Sequence, residues 1–125
     1  MVTVLVIDAD PAVRLAAKRA LKPAGFTLIA VGDVTAALSR LAVIRADLVI
    51  CDVDALASTG TPAIKAIAEI YPSTQILALF PKQRDAAGIL PDIANALGKP
   101  FTSSELLTKV RRALAVAWAP GKRPH

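Results

Sequence analysis

The most constraining feature of the sequence is a run of four apolar residues with an aspartate at each end, at positions 47–52. The run does not alternate polar and apolar residues and is too short for a helix, so it predicts a strand buried on both faces. Such strands belong inside parallel sheets, and open α/β folds bind their ligands at the carboxyl edge of the sheet. We therefore expect Asp52, the last residue of the run, at that edge.

Four further apolar stretches predict strands, and helical patterns lie between them. The predicted strands are residues 2–7, 26–31, 75–80 and 93–97. The predicted helices are residues 11–22, 34–44, 62–71, a short segment between Pro81 and Pro91, and a final helix capped by Ser103 or Ser104. Strands that alternate with helices need short right-handed crossovers, which predicts an α/β fold with a parallel sheet and helices on both faces. We expect one domain over residues 1–119 and a disordered tail over residues 120–125.

The composition narrows the classes of function. Fifteen Lys and Arg against ten Asp and Glu give a net charge of +5, which would suit nucleic acid, anionic lipid or an acidic protein. Nucleic-acid binding is disfavoured because no recognition motif or aromatic platform is present. No apolar run approaches the roughly 18 to 20 residues of a membrane span, and the first residues lack the basic start of a signal peptide. We expect a cytoplasmic protein, with Cys51 as a buried structural thiol.

Four of the ten acidic residues stand at the ends of two predicted strands, against the sign of the whole chain. They are Asp8, Asp10, Asp52 and Asp54. Grouped carboxylates repel one another, so a bound divalent metal or a lysine must lie nearby. Asp10 could supply a metal ligand, but a residue at this position more often begins the helix, where a negative charge favours the dipole.

Three motifs resemble the receiver domain of two-component response regulators, and the resemblance covers essentially the whole chain. They are the acidic turn at residues 8–11, the strand ending at Asp52 with Gly60 beyond it, and the Gly-Lys-Pro-Phe turn at residues 98–101. The resemblance implies a flavodoxin-like, doubly wound sheet of five parallel strands in the order 2-1-3-4-5. It also implies a cis peptide bond before Pro100.

The resemblance also implies roles for individual residues. Asp52 would be the phosphorylated aspartate and Lys99 the cation that binds the phosphoryl group. Asp8 and Asp52, with the backbone carbonyl of Asp54, would hold Mg²⁺, which prefers such hard oxygen ligands. The partner would be a histidine kinase or a phosphotransfer protein, because a carboxylate can attack a phosphohistidine when Mg²⁺ and a lysine stabilise the transferring charge.

Three positions depart from the family pattern. Ala9 stands where the family has a directly coordinating acid, so we expect Mg²⁺ binding to be weak or absent. Phe80 replaces the Ser or Thr that hydrogen-bonds the phosphoryl group, and Ala96 replaces the aromatic residue that turns inward on activation. The Phe80 ring is expected to occupy permanently the space that this aromatic residue fills, with Ala96 making room for it.

Two functions stay open from the sequence. The first is a phosphoacceptor receiver, and the second is a pseudo-receiver that binds a partner protein without phosphorylation. An enzyme with a small-molecule substrate is disfavoured, because the single histidine is in the tail and no glycine-rich phosphate loop is present. Trp118 is expected to end the apolar stripe of the last helix, or to form a contact in a homodimer.

A ridge of basic residues on the first helix has two interpretations. Arg14, Lys18 and Lys22 recur every fourth residue, and Lys109 and Arg112 of the last helix are expected on the same side of the sheet. The ridge is either a solvated basic face or a surface that docks an acidic partner.

Overall fold

The computed structural model describes residues 2–54, 74–81 and 95–117. Its elements in these ranges are β1 (Thr3–Ile7), α1 (Pro11–Leu21), β2 (Thr27–Val31), α2 (Val34–Leu41), β3 (Leu48–Asp52), β4 (Gln75–Pro81), β5 (Asn95–Lys99) and α3 (Ser103–Ala117). The helices predicted at residues 62–71 and between Pro81 and Pro91, Trp118 and the predicted tail lie outside the described residues. No helix in the described ranges is long and apolar enough to cross a membrane.

The strands form one sheet in the order β2-β1-β3-β4-β5, and every neighbouring pair is parallel. This confirms the predicted parallel sheet and its strand order. The register pairs Ile7 at the end of β1 with Cys51 near the end of β3. The carboxyl ends of the two central strands therefore meet at one edge of the sheet.

The sheet separates two hydrophobic cores. β3 is buried along its whole length, as its unbroken apolar run predicts. One core contains alternate strand residues packed with the apolar faces of α1 and α3, and the other contains the intervening residues packed with α2. Val6, Ile50 and Leu97 belong to the first core. Because side chains alternate along a strand, the residues two positions further along, at 8, 52 and 99, are directed to this same side.

Side-chain caps fix where α1 and α3 begin. The Asp10 carboxylate accepts a hydrogen bond from the Ala12 N–H, and the Asp10 backbone is extended, so Asp10 begins α1 as expected. At α3, Thr102 Oγ1 accepts from the Glu105 N–H at 3.0 Å, and Glu105 Oε1 accepts from the Thr102 N–H at 2.9 Å. The predicted cap at Ser103 or Ser104 was wrong, because the hydroxyl at residue 102 and the glutamate three residues later satisfy two N–H groups reciprocally.

Two predicted ends, those of α2 and β5, differ from the structure by two residues or more. α2 ends at Leu41 instead of residue 44. Beyond it the chain forms a turn in which the N–H groups of Val43 and Ile44 both donate to the Arg40 carbonyl. β5 continues through Lys99, although its end was predicted at residue 97. The extra length follows from β4, which reaches Pro81 and pairs with Lys99.

Candidate functional site

Asp8, Asp52 and Lys99 meet at the carboxyl edge of the sheet. Lys99 Nζ donates to Asp52 Oδ1 at 2.6 Å and to Asp8 Oδ2 at 3.2 Å. The Asp8 and Asp52 side chains keep only 4% and 10% of their surface exposed, and the Lys99 side chain keeps 21%. The lysine is thus a cation that the two grouped carboxylates require.

Backbone N–H groups hold the other oxygen of each carboxylate. Asp8 Oδ1 accepts from the Asp10 N–H at 2.9 Å, and Asp52 Oδ2 accepts from the Asp54 N–H at 3.1 Å. Each carboxylate is therefore tied on one side to the loop that follows its strand and on the other side to Lys99. The Lys99–Pro100 peptide bond is cis, as the resemblance implies.

Arg14 belongs to this region, although the sequence suggested only a basic ridge. Its Nη1 donates to the backbone carbonyl of Asp8 at 2.7 Å, so it holds the turn between β1 and α1. Lys18 and Lys22 remain exposed, as a ridge requires. α1 and α3 pack against each other, which confirms that these two helices share one side of the sheet. In the sequence, the feature that could have indicated this contact is the position of Arg14 one turn into the helix that follows Asp8.

Burial and nearby negative charges have opposite effects on the pKa of Lys99. Burial alone would lower the pKa of Lys99, but the hydrogen bond to Asp52 and the negative charges of Asp8 and Asp52 outweigh it and raise the pKa above 10.5. The ammonium form is therefore retained at neutral pH. Beside the site, burial raises the pKa of Cys51 to about 12, and the charges of Asp52 and Asp8 add to the effect. Cys51 is buried, as expected for a structural thiol.

The oxygen donors at the site suit Mg²⁺ in kind but are few. The carboxylates of Asp8 and Asp52 are hard oxygen donors, the kind that Mg²⁺ prefers. Ala9 supplies no side-chain ligand, and the Asp10 carboxylate is used as the cap of α1. Within the described ranges, no three His, Cys, Asp or Glu side chains form a group that could hold a metal ion. The described residues therefore bring two carboxylates to this edge of the sheet, those of Asp8 and Asp52.

A cavity of about 410 Å³ opens next to Lys99, between the start of α1 and the chain that follows β5. Its lining is mostly apolar and consists of Asp10, Ala12, Val13, Ala16, Pro81, Lys99, Pro100 and Phe101. Sequence reasoning missed this cavity because three separate segments form it. The only signal was Pro100 and Phe101, which follow the site lysine directly.

Phe80 and Ala96 lie on β4 and β5, on the side of the sheet away from α1 and α3. Both residues are half-buried. The register pairs Phe80 with Gly98 and Ala96 with Ala78, so Ala96 is a diagonal neighbour of Phe80. The residue paired with Phe80 is thus a glycine, which has no side chain.

We expect Phe80→Ala to lower the free energy of unfolding by about 1 to 3 kcal/mol, less than a fully buried phenylalanine would cost, because the ring is only half-buried. If Ala96 makes room for the ring, adding Ala96→Tyr to Phe80→Thr should recover part of the loss of Phe80→Thr. Denaturant unfolding of the double-mutant cycle measures this coupling. The matched control pairs Phe80→Thr with Ala115→Tyr on α3 and should be additive. Strict additivity in the Ala96 cycle as well would contradict the compensation.

Comparison with known proteins assigns the chain to a family. Residues 4–111 match the family described as Response regulator receiver domain. A search of curated proteins finds no match.

Among solved structures, the chain is similar to the chemotaxis response regulator CheY4 of Vibrio cholerae, with 28% identity, a TM-score of 0.79, and coverage of 91% of this chain and 99% of that one. It is similar to a response regulator from Thermotoga maritima, with 28% identity, a TM-score of 0.82, and coverage of 92% and 98%. It is also similar to the signal receiver domain of an HD domain-containing protein from Pseudomonas fluorescens Pf-5, with 29% identity, a TM-score of 0.79, and coverage of 90% and 94%.

These comparisons agree with the parallel sheet and its strand order, which are those of the flavodoxin-like receiver fold. The family match spans both central strands and the site lysine. The chain belongs to the response regulator receiver domain family, the signalling module of two-component systems.

Proposed function

We propose that this receiver domain accepts a phosphoryl group on the carboxylate of Asp52, and that Lys99 stabilises the transferring charge. The observation that carries the proposal is the position of Lys99 Nζ, 2.6 Å from Asp52 Oδ1 at the carboxyl edge of the sheet. The donor would be the phosphohistidine of a histidine kinase or a phosphotransfer protein in the cytoplasm. Treatment with acetyl phosphate and Mg²⁺, followed by intact-mass measurement, tests whether the protein gains a phosphoryl group.

The transfer would exchange one bond for another. A carboxylate oxygen of Asp52 forms a bond to phosphorus while the bond from phosphorus to the donor nitrogen breaks, and the electron pair of that bond stays on the imidazole. Negative charge builds up on the phosphoryl oxygens, where the Lys99 ammonium can take them as hydrogen-bond acceptors. The Asp54 N–H holds Asp52 Oδ2 and so keeps the carboxylate in one orientation.

Mg²⁺ would be held weakly by the carboxylates of Asp8 and Asp52 and by the backbone carbonyl of Asp54. When bound, the ion would neutralise charge on the phosphoryl oxygens. Asp8 would contribute in a second way, because its Oδ2 lies 3.2 Å from Lys99 Nζ and keeps the ammonium at the site.

We expect Ala9→Asp to tighten Mg²⁺ binding at least about tenfold, or about 1.4 kcal/mol, because it adds a charged oxygen ligand to a site with few carboxylates. Calorimetric titration with Mg²⁺ measures the change. The matched control is Ala9→Asn, which adds an oxygen without a charge and should have a smaller effect. Equal affinities of the parent protein and Ala9→Asp would show that Ala9 does not stand at a ligand position.

The cavity beside Lys99 supports the proposed kinase or phosphotransfer partner. Its mostly apolar lining could receive an apolar side chain of a protein that presents a phosphohistidine to Asp52. Phe101 and Val13 line the cavity and also pack against the core, which holds these two side chains in place. A partner seated here would cover the site and exclude water from it.

A second candidate function is a pseudo-receiver that binds its partner without phosphorylation. Ala9 and Phe80 favour it, because the first removes a metal ligand and the second removes the hydroxyl expected to bind the phosphoryl group. In that case acetyl phosphate would leave the mass unchanged even at saturating Mg²⁺. The intact-mass experiment therefore separates the two functions.

A further inference from the structure

β2 is an edge strand of the sheet, at the end opposite to β5. All five of its residues are half-buried, whereas the last four residues of the adjacent β1 are buried. Its sequence, Thr-Leu-Ile-Ala-Val, contains no charged residue, proline or glycine. Natural edge strands commonly use charges, prolines or bulges to prevent pairing with other chains. β2 has none of these protections.

The hydrogen bonds to β1 determine which backbone groups of β2 face outward. The Thr27 N–H donates to the Val2 carbonyl at 2.9 Å, and the Val31 carbonyl accepts from the Asp8 N–H at 3.2 Å. Residues 27, 29 and 31 therefore bond towards β1, and the alternate residues direct their groups to the other side. The N–H and C=O groups of Leu28 and Ala30 point off the edge, where no strand of the described ranges pairs with them.

We propose that the outer edge of β2 pairs antiparallel with β2 of a second copy of this chain. A two-fold axis at Ile29 places Leu28 of each copy opposite Ala30 of the other, and each such pair exchanges two hydrogen bonds. The side chains also match. The large Leu28 lies across from the small Ala30 on one face, and Ile29 meets its own copy on the other face.

The charges at the two ends of β2 favour the same arrangement. The exposed Lys22 precedes the strand and the exposed Asp33 follows it. Asp33 also caps α2 through its carboxylate. An antiparallel pair brings the turn after Lys22 of one copy towards the Asp33 end of β2 in the other, so the charges at each end of the interface are opposite in sign. Hydrogen-bond pattern, side-chain size and end charge are thus all self-complementary, which selects a second copy as the partner.

The test is the molar mass in solution, measured by light scattering over a dilution series. The parent chain is expected to form a dimer that dissociates on dilution. Ala30→Pro removes the outward N–H without removing a bond to β1, and it should weaken the dimer at least about tenfold. Ser103→Pro is the matched control, because it places a proline at the exposed first position of α3, where a proline is tolerated. It should dimerise like the parent chain.

Amide hydrogen exchange of the parent chain provides a second measurement that does not depend on the fold of Ala30→Pro. The amides of Leu28 and Ala30 should become protected as the concentration rises, while those of Thr27, Ile29 and Val31 stay protected throughout. The proposal is overturned by a parent chain that remains monomeric at every concentration. It is equally overturned by a folded Ala30→Pro that dimerises as tightly as the parent, or by a dimer in which Leu28 and Ala30 exchange as in the monomer.

Discussion

Lys99→Met is expected to lower the free energy of unfolding by about 2 to 4 kcal/mol at neutral pH. The substitution keeps an aliphatic chain but leaves the carboxylates of Asp8 and Asp52 side by side, almost fully buried and without their ammonium. Removing one partner from a buried ion pair costs about 3 to 5 kcal/mol, and the value here is reduced because Lys99 keeps a fifth of its side chain in water. Denaturant unfolding of the parent and the variant measures the difference.

The pH dependence gives this prediction a second readout. The deficit of the variant should be constant around neutral pH and should shrink at high pH, where the parent protein loses the Lys99 ammonium. In the parent, the pKa of Lys99 is raised, so its stabilising contribution is complete below pH 10.5 and is lost as the pH rises through the folded-state pKa. Lys18→Met on the exposed face of α1 is the control and should change stability by no more than about 0.5 kcal/mol. A Lys99→Met deficit as small as that control, or independent of pH, would contradict the role of Lys99.

Asp52→Asn is expected to abolish incorporation of the phosphoryl group. An amide is a much poorer nucleophile than a carboxylate. In the described ranges Lys99 contacts one other carboxylate, that of Asp8, which lies just after the end of β1, whereas Asp52 is the last residue of β3. Intact mass after treatment with acetyl phosphate and Mg²⁺ measures incorporation. Asp54→Asn is the matched control and should keep it, because the proposed metal ligand at that residue is the backbone carbonyl. A phosphoryl group that still attached to Asp52→Asn would remove Asp52 from the role.

The sequence was sufficient to predict the sheet and the three residues at its edge. An unbroken apolar run such as residues 48–51 has few alternatives to a strand buried on both faces, and a parallel sheet then brings the strand ends together. The carboxylates of Asp8 and Asp52 required a cation, and the resemblance identified it as Lys99. The structure places all three within hydrogen-bond distance.

Features that depend on the contacts between distant segments were beyond the sequence. The cavity beside Lys99 is formed by α1, the end of β4 and the chain after β5, and no single segment indicates it. Phe80 pairs with Gly98 because of the register between β4 and β5, and the sequence of neither strand alone determines that register. The cap of α3 was an error of a different kind, because the Thr-x-x-Glu spacing of Thr102 and Glu105 is visible in the sequence and by itself predicts the reciprocal bonds.

If Asp52 is the phosphoacceptor, the phosphoryl group on the parent protein must be attached to that residue, and chemical reduction can locate it. Borohydride reduction of an acyl phosphate leaves a stable alcohol in place of the carboxylate, which peptide mass mapping can assign to one residue. After treatment with acetyl phosphate at saturating Mg²⁺, we expect the reduced residue to be Asp52 and no other. Reduction at a different residue, or no acyl phosphate at all under these conditions, would contradict it.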